Sequence, residues 1–83
     1  MLVSIKARKF DVTPAMREYV EKRMEKFDKM LGGLEEIHVT VSAQKGTHKV
    51  EVTIPLHGTI LRGEETGPDM YACVDKVVEK LER

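Results

Sequence analysis

Apolar and polar residues alternate with period two in four stretches of the chain and with period 3.6 in two others. Residues 2–9 place Val3, Ile5 and Ala7 on one side and Ser4, Lys6 and Arg8 on the other, the pattern of a half-buried strand. Thr13-Pro14 follows, a side chain able to cap a helix and then a proline whose missing N–H costs nothing at the first helical position. Met16, Val20, Met24, Phe27 and Leu31 then recur at the spacing of one helical face, and Gly32-Gly33 closes the segment, so a helix is expected over residues 14–31.

Alternation resumes with Ile37, Val39, Val41 and Ala43 against His38, Thr40 and Ser42. Lys45-Gly46-Thr47 marks a turn, after which Val50, Val52, Ile54 and Leu56 form the inner side of a third strand. Pro55 has no N–H to donate, so that strand is not expected to continue as a centrally paired one. Gly58 marks another turn and residues 59–65 read as a weaker fourth strand. Thr66-Gly67-Pro68 breaks the chain, Asp69 is positioned to cap, and Met70, Val74, Val77, Val78 and Leu81 form the stripe of a second helix.

The expected fold class is therefore α+β, in the order β-α-β-β-β-α. It comprises a four-stranded mixed sheet with two roughly parallel helices packed on one face, leaving the other face wet. A right-handed crossover makes the first two strands parallel, and hairpins make the later neighbours antiparallel.

Composition narrows the picture only in places. Eighty-three residues suffice for a single small core. Fourteen basic residues balance fourteen acidic ones, without the overall basic excess usual in a dedicated nucleic-acid domain. A single cysteine, Cys73, allows no internal disulfide and points to a reducing, cytoplasmic setting. No signal peptide or apolar membrane span is recognisable.

Charge arrangement says more than charge total. KRMEKFDK at 22–29 and KVVEKLER at 76–83 both read Lys-x-x-Glu-Lys-x-acid-base, so each helix carries basic residues at i, i+4 and i+7. At about 100° per residue, Arg23 and Lys26 fall on one flank of the first helix with Lys22 and Lys29 nearer its top. Glu21 and Asp28 fall on the other flank, and the second helix separates Lys80, Lys76 and Arg83 from Asp75, Glu79 and Glu82 with the same hand. The plain alternative is a solvated face laced by i,i+4 pairs such as Glu18–Lys22, worth about 0.2–0.5 kcal/mol each. Lys22/Lys26 and Lys76/Lys80 are like-charge pairs at that same spacing, which stability alone does not favour. Two such basic rows side by side, on helices about 8–10 Å apart, would suit the phosphates of a folded RNA.

Other chemistry finds little footing. His38 and His57 are expected on the wet face and His48 beside a turn, with no spacing that gathers metal ligands. Cys73, at the edge of an apolar stripe, reads as a small buried hydrophobe. Glu35-Glu36 and Glu64-Glu65 are adjacent and cannot share a strand face as a catalytic pair. The aromatics Phe10, Tyr19, Phe27 and Tyr71 lie outside the strand interiors, so bases are not expected to stack on the sheet.

Ile5 through the Thr13-Pro14 helix start, Thr47-His48 before Val-Glu-Val-Thr-Ile, and Asp69-Met70-Tyr71-Ala72 leading into Lys80-Leu81-Glu82-Arg83 resemble the ribosome hibernation promoting factors. The resemblance implies a non-enzymatic, cytoplasmic protein of the stress response. It would bind the small ribosomal subunit between head and body, in the channel of messenger and transfer RNA, inhibiting translation and preserving idle ribosomes. It implies rRNA contacts by Arg23, Lys26 and Lys29 on the first helix and by Lys80 and Arg83 on the second; the stripe geometry adds Lys22 and Lys76. Asp69 and Tyr71 match the family motif but have capping and packing to do first, and Cys73 stands where the family tends to a small residue such as alanine.

Family members usually continue past the position of Arg83 into a further basic segment, and long forms add a C-terminal domain that pairs ribosomes. The expectation is a single ribosome-binding domain over 1–83, either the N-terminal part of a longer chain or a short form. It would be a monomer with no cofactor, metal, membrane or small-molecule partner, and ribosome dimerisation would need the further domain. The competing readings are a protein-interaction module using the polar sheet face or a strand edge and, by fold analogy only, a small α/β enzyme.

Overall fold

The computed structural model describes residues 1–82, and its elements follow the expected order. They are β1 (Leu2–Arg8), α1 (Pro14–Leu31), β2 (Glu36–Gln44), β3 (Thr47–Leu56), β4 (Thr59–Gly67) and α2 (Met70–Leu81). The sheet has four strands in the order β1-β2-β3-β4. β1 runs parallel to β2, with Val3 opposite Ile37 and Ile5 opposite Val39, and the β2–β3 and β3–β4 pairs are antiparallel.

Both helices start as their sequences specify. The Thr13 hydroxyl accepts the Met16 N–H at 3.2 Å, and the Asp69 carboxylate accepts the Tyr71 N–H at 3.0 Å. Gly32, at φ 84°, closes α1, and the Asp28 carboxylate accepts the Leu34 N–H across the following loop. The strands turn through two-residue loops, Lys45-Gly46 and His57-Gly58, in which all four residues have positive φ. This is the backbone of a type I′ hairpin, whose twist matches that of the flanking strands. His57 is thus a turn residue at φ 48°, not the open-face residue that alternation suggested.

Two strand details also differ from the pattern, and one, at Pro55, agrees with it. β1 stops at Arg8 because Lys9 turns into the left-handed region at φ 58°, and Ala7, although in phase with Val3 and Ile5, is exposed on this edge strand. β3 continues through Pro55 to Leu56, but its pairing with β2 ends at Thr53, so proline meets only the β4 side. β4 runs two residues further than expected, with Thr66 opposite Lys49 and Gly67 opposite His48, and the chain breaks at Pro68 instead.

The core lies between the sheet and the helix layer. Val20, Met24 and Phe27 from α1 and Met70, Cys73, Val74, Val77 and Val78 from α2 cover Ile37, Val39, Val41, Val50, Val52 and Ile54. β4 adds no fully buried side chain; its inward positions include Gly63 and Gly67. A β-carbon at Gly63 would stand 3.2 Å from Leu81 Cδ2, and one at Gly67 would stand 3.3 Å from Cys73 Sγ. The weak alternation of this strand therefore reflects the close seat of α2 upon it.

The helices run in the same sense. The Tyr19 and Tyr71 rings meet edge to face with centroids 5.0 Å apart, and one turn further along both helices Arg23 meets Asp75.

Candidate nucleic-acid interface

Because both helices separate charge with the same hand and run the same way, the basic flank of α1 faces the acidic flank of α2. The two basic rows do not merge side by side, as the sequence suggested; Asp75 stands between them. Arg23 Nε lies 3.1 Å from Asp75 Oδ1, and the Tyr19 hydroxyl donates a 2.5 Å hydrogen bond to the same oxygen. The Nε–H is buried and not aimed at the carboxylate, so the arginine is held there by charge attraction and not by an aligned hydrogen bond. The Tyr19–Asp75 hydrogen bond, with burial adding to it, raises the Tyr19 phenol above its ordinary pKa. Arg23 is only 26% exposed and forms part of an interhelical polar seam.

The other candidate residues divide by their partners. Lys80 reaches over β4, its Nζ 2.5 Å from Glu65 Oε2 and 3.2 Å from the Glu64 carbonyl. The Lys80 hydrogen bond, reinforced by the field of Lys80 and Lys76, holds the Glu65 carboxyl below its usual range. Lys22 pairs with Glu18 at 3.0 Å on the outer face of α1, an exposed contact of small value. Lys26, Lys29 and Lys76 are exposed and make no ion pair among the described residues. Arg83 lies outside the described residues.

Three of these charges are thus exposed and unpaired among the described residues, and Lys22 is only weakly held. Arg23 and Lys80 sit beside carboxylates that a phosphate would have to displace or share. Sequence reasoning did not find Asp75, Glu65 and Tyr19 as partners of these residues. The matched hand of the two helices was the available signal, since it forces unlike flanks to meet.

Elsewhere the chemistry is structural. Glu64 and Glu65 point to opposite faces, the first toward Lys49 on the open sheet and the second toward Lys80. The His48 and Phe10 rings meet in a T-shaped arrangement, and His48 Nδ1 lies 3.2 Å from the Pro68 carbonyl. Cys73 is buried, which pushes its thiol pKa up and away from nucleophilic use. Among the described residues no group of three or more His, Cys, Asp or Glu could hold a metal ion, and no helix is long and apolar enough to cross a membrane.

Residues 3–83 match the family model described as sigma 54 modulation protein / S30EA ribosomal protein. Over 83 residues the chain is 41% identical to a ribosome hibernation promotion factor of Lactococcus lactis subsp. cremoris, covering 96% of this chain and 45% of the relative. It is 33% identical to the factor of the same name from Deinococcus radiodurans, covering 99% of this chain and 46% of the relative. The chain therefore spans about half the length of these relatives. The crystal structure of the Thermus thermophilus Protein Y N-terminal domain superposes with a TM-score of 0.89 at 31% identity, covering 99% of this chain and 92% of that one. With the element order, the sheet topology and the match over nearly every residue in agreement, the chain belongs to the sigma 54 modulation protein / S30EA ribosomal protein family.

Proposed function

We propose that this domain binds the small ribosomal subunit between head and body, in the channel used by messenger and transfer RNA, and so blocks translation and preserves idle ribosomes. The observation that carries the reading is the family match over residues 3–83, with relatives named ribosome hibernation promotion factor. The role is that of a non-enzymatic ribosome ligand working in the cytoplasm. Lys26, Lys29 and Lys76 make phosphate contacts directly, Lys22 adds a weakly held charge, and Arg23 and Lys80 contribute after exchanging a carboxylate partner for a phosphate. Arg83, outside the described residues, is a further candidate contact by its sequence spacing alone. Such contacts position the domain on RNA without reading its sequence.

Co-sedimentation with purified small subunits across a salt series tests this. Each phosphate contact contributes a slope of roughly −0.7 to −0.9 in log affinity against log salt. Lys26→Glu combined with Lys76→Glu reverses two exposed charges that make no ion pair among the described residues, so the melting temperature should hold while subunit binding falls at least tenfold. Unchanged binding by that variant would remove the helix-face mechanism. Failure of the unmodified domain to sediment with subunits would remove the whole reading.

A further inference from the structure

The sheet face opposite the helices carries a second feature. Cross-strand registration aligns Arg8 of β1, Ser42 of β2, Lys49 of β3 and Thr66 of β4 in one row near the Lys45-Gly46 hairpin. Residues opposite one another on neighbouring strands point to the same face. Arg8 is out of phase with the inward Val3 and Ile5, so it stands on the open face beside Ser42. Ser42, Gln44, Lys45, Thr47, Lys49 and Thr66 line a shallow depression of about 320 Å³ there. Its lining holds two ammonium groups, three hydroxyls and one amide, and no carboxylate.

The rest of the open face differs. The next row, Lys6–Thr40–Glu51–Glu64, brings in two carboxylates. Lys49 reaches both, at 3.6 Å from Glu51 and 3.3 Å from Glu64, long contacts between half-exposed groups that a phosphate could readily displace. A larger hollow beside it contains both Glu51 and Glu64, which disqualifies it as an anion site. At the hairpin end Arg8 and Lys45 make no ion pair among the described residues. Lys6 and Arg62 are likewise unpaired among them on the open face, but Lys6 shares its row with Glu51 and Glu64, and Arg62 lines the hollow that contains both.

We propose that this hairpin end of the open sheet is a second binding surface for a nucleic-acid phosphate backbone, acting alongside the helix face. Strands lie about 4.8 Å apart, so Arg8 and Lys49, two strands apart, are separated by about 10 Å across the row. Long arginine and lysine side chains rooted about 10 Å apart can reach neighbouring phosphates of one strand, while the hydroxyls and the Gln44 amide donate hydrogen bonds between the charges. The lack of aromatic side chains fits backbone contact without base stacking. The shortest dimension of the domain is 18 Å. Cations on both broad faces would let it bridge two RNA segments at that separation. The inference rests on the ribosome-binding reading given above and adds a second side to it.

Three forms are compared for small-subunit binding across a salt series: the unmodified domain, the helix variant Lys26→Glu/Lys76→Glu, and a sheet variant Arg8→Glu/Lys45→Glu. An Arg8→Gln/Lys45→Gln form serves if charge reversal disturbs the fold, as judged by circular dichroism and melting. The sheet variant is expected to lose five- to fiftyfold in affinity and to flatten the log–log salt slope by about 1.4–1.8, the share of two phosphates. A sheet variant that binds like the unmodified domain while the helix variant fails overturns this inference and leaves the ribosome-binding reading in place. Lost affinity with an unchanged slope also overturns it, because the contact would then be to a protein. No binding by the unmodified domain overturns both.

Discussion

Replacing Tyr19 by phenylalanine removes one oxygen from the interhelical seam and leaves the ring contact with Tyr71 in place. That oxygen donates a 2.5 Å hydrogen bond to Asp75, an acceptor that also faces Arg23 at 3.1 Å. Hydrogen bonds to charged groups contribute about 1.5–3 kcal/mol. Asp75 is 41% exposed, so water replaces part of the lost bond and the expected cost falls to about 1–2 kcal/mol. For a domain of this size each kcal/mol lowers the melting temperature by about 4–8 °C, which gives a drop of about 5–15 °C. In urea the midpoint should move while the slope stays constant, because no additional surface is exposed. A double-mutant cycle with Asp75→Asn should give a coupling of at least about 0.5 kcal/mol, the mark of side chains in contact. Additive effects, or a Tyr19→Phe domain as stable as the original, would show that the seam does not tie the helices together, leaving their alignment to ring packing and the core.

Alkaline pH should expose the same bond. The Tyr19 phenol is raised above its ordinary 10.0, so its contribution is complete below that pH and is lost as the pH rises through the raised value. The Lys49 ammonium, raised above 10.5 chiefly by its bond to Glu64, acts with the same sign; thermal melts from pH 8 to 11 should show the decline, with a smaller one in Tyr19→Phe. At Gly63, a valine would drive its methyl groups into Leu81 and Val77, whose atoms already stand 3.2–3.5 Å from the position of a β-carbon. Urea unfolding of Gly63→Val should show a loss of about 1–3 kcal/mol, and a neutral result would mean that α2 shifts on β4 without cost.

The element order and the helix ends were legible in the chain because they rest on local rules. Thr13-Pro14 and Asp69 start helices, Gly32 ends one, and the two apolar periods separate helix from strand; the structure begins and ends α1 where those signals stand. Local rules also account for the errors. Alternation placed His57 on the open face because period two cannot see a type I′ turn, and it undervalued β4 because Gly63 and Gly67 have no side chain to mark their inward positions.

By itself the sequence determined which residues are apolar together and which basic residues share a helix flank, since both follow from spacing along one chain. Only the tertiary structure decided what each flank faces. Two helices of the same charge hand, laid parallel on one sheet, must present unlike sides to each other, so Arg23 meets Asp75 and Lys80 leans onto Glu65. Lys26, Lys29 and Lys76 remain unpaired among the described residues for the same geometric reason: they project from the layer and not into its seams. The row of Arg8, Ser42, Lys49 and Thr66 likewise exists only after strand registration gathers residues scattered over more than half the chain. Spacing determines a face, and pairing across the fold determines whether its charge is free.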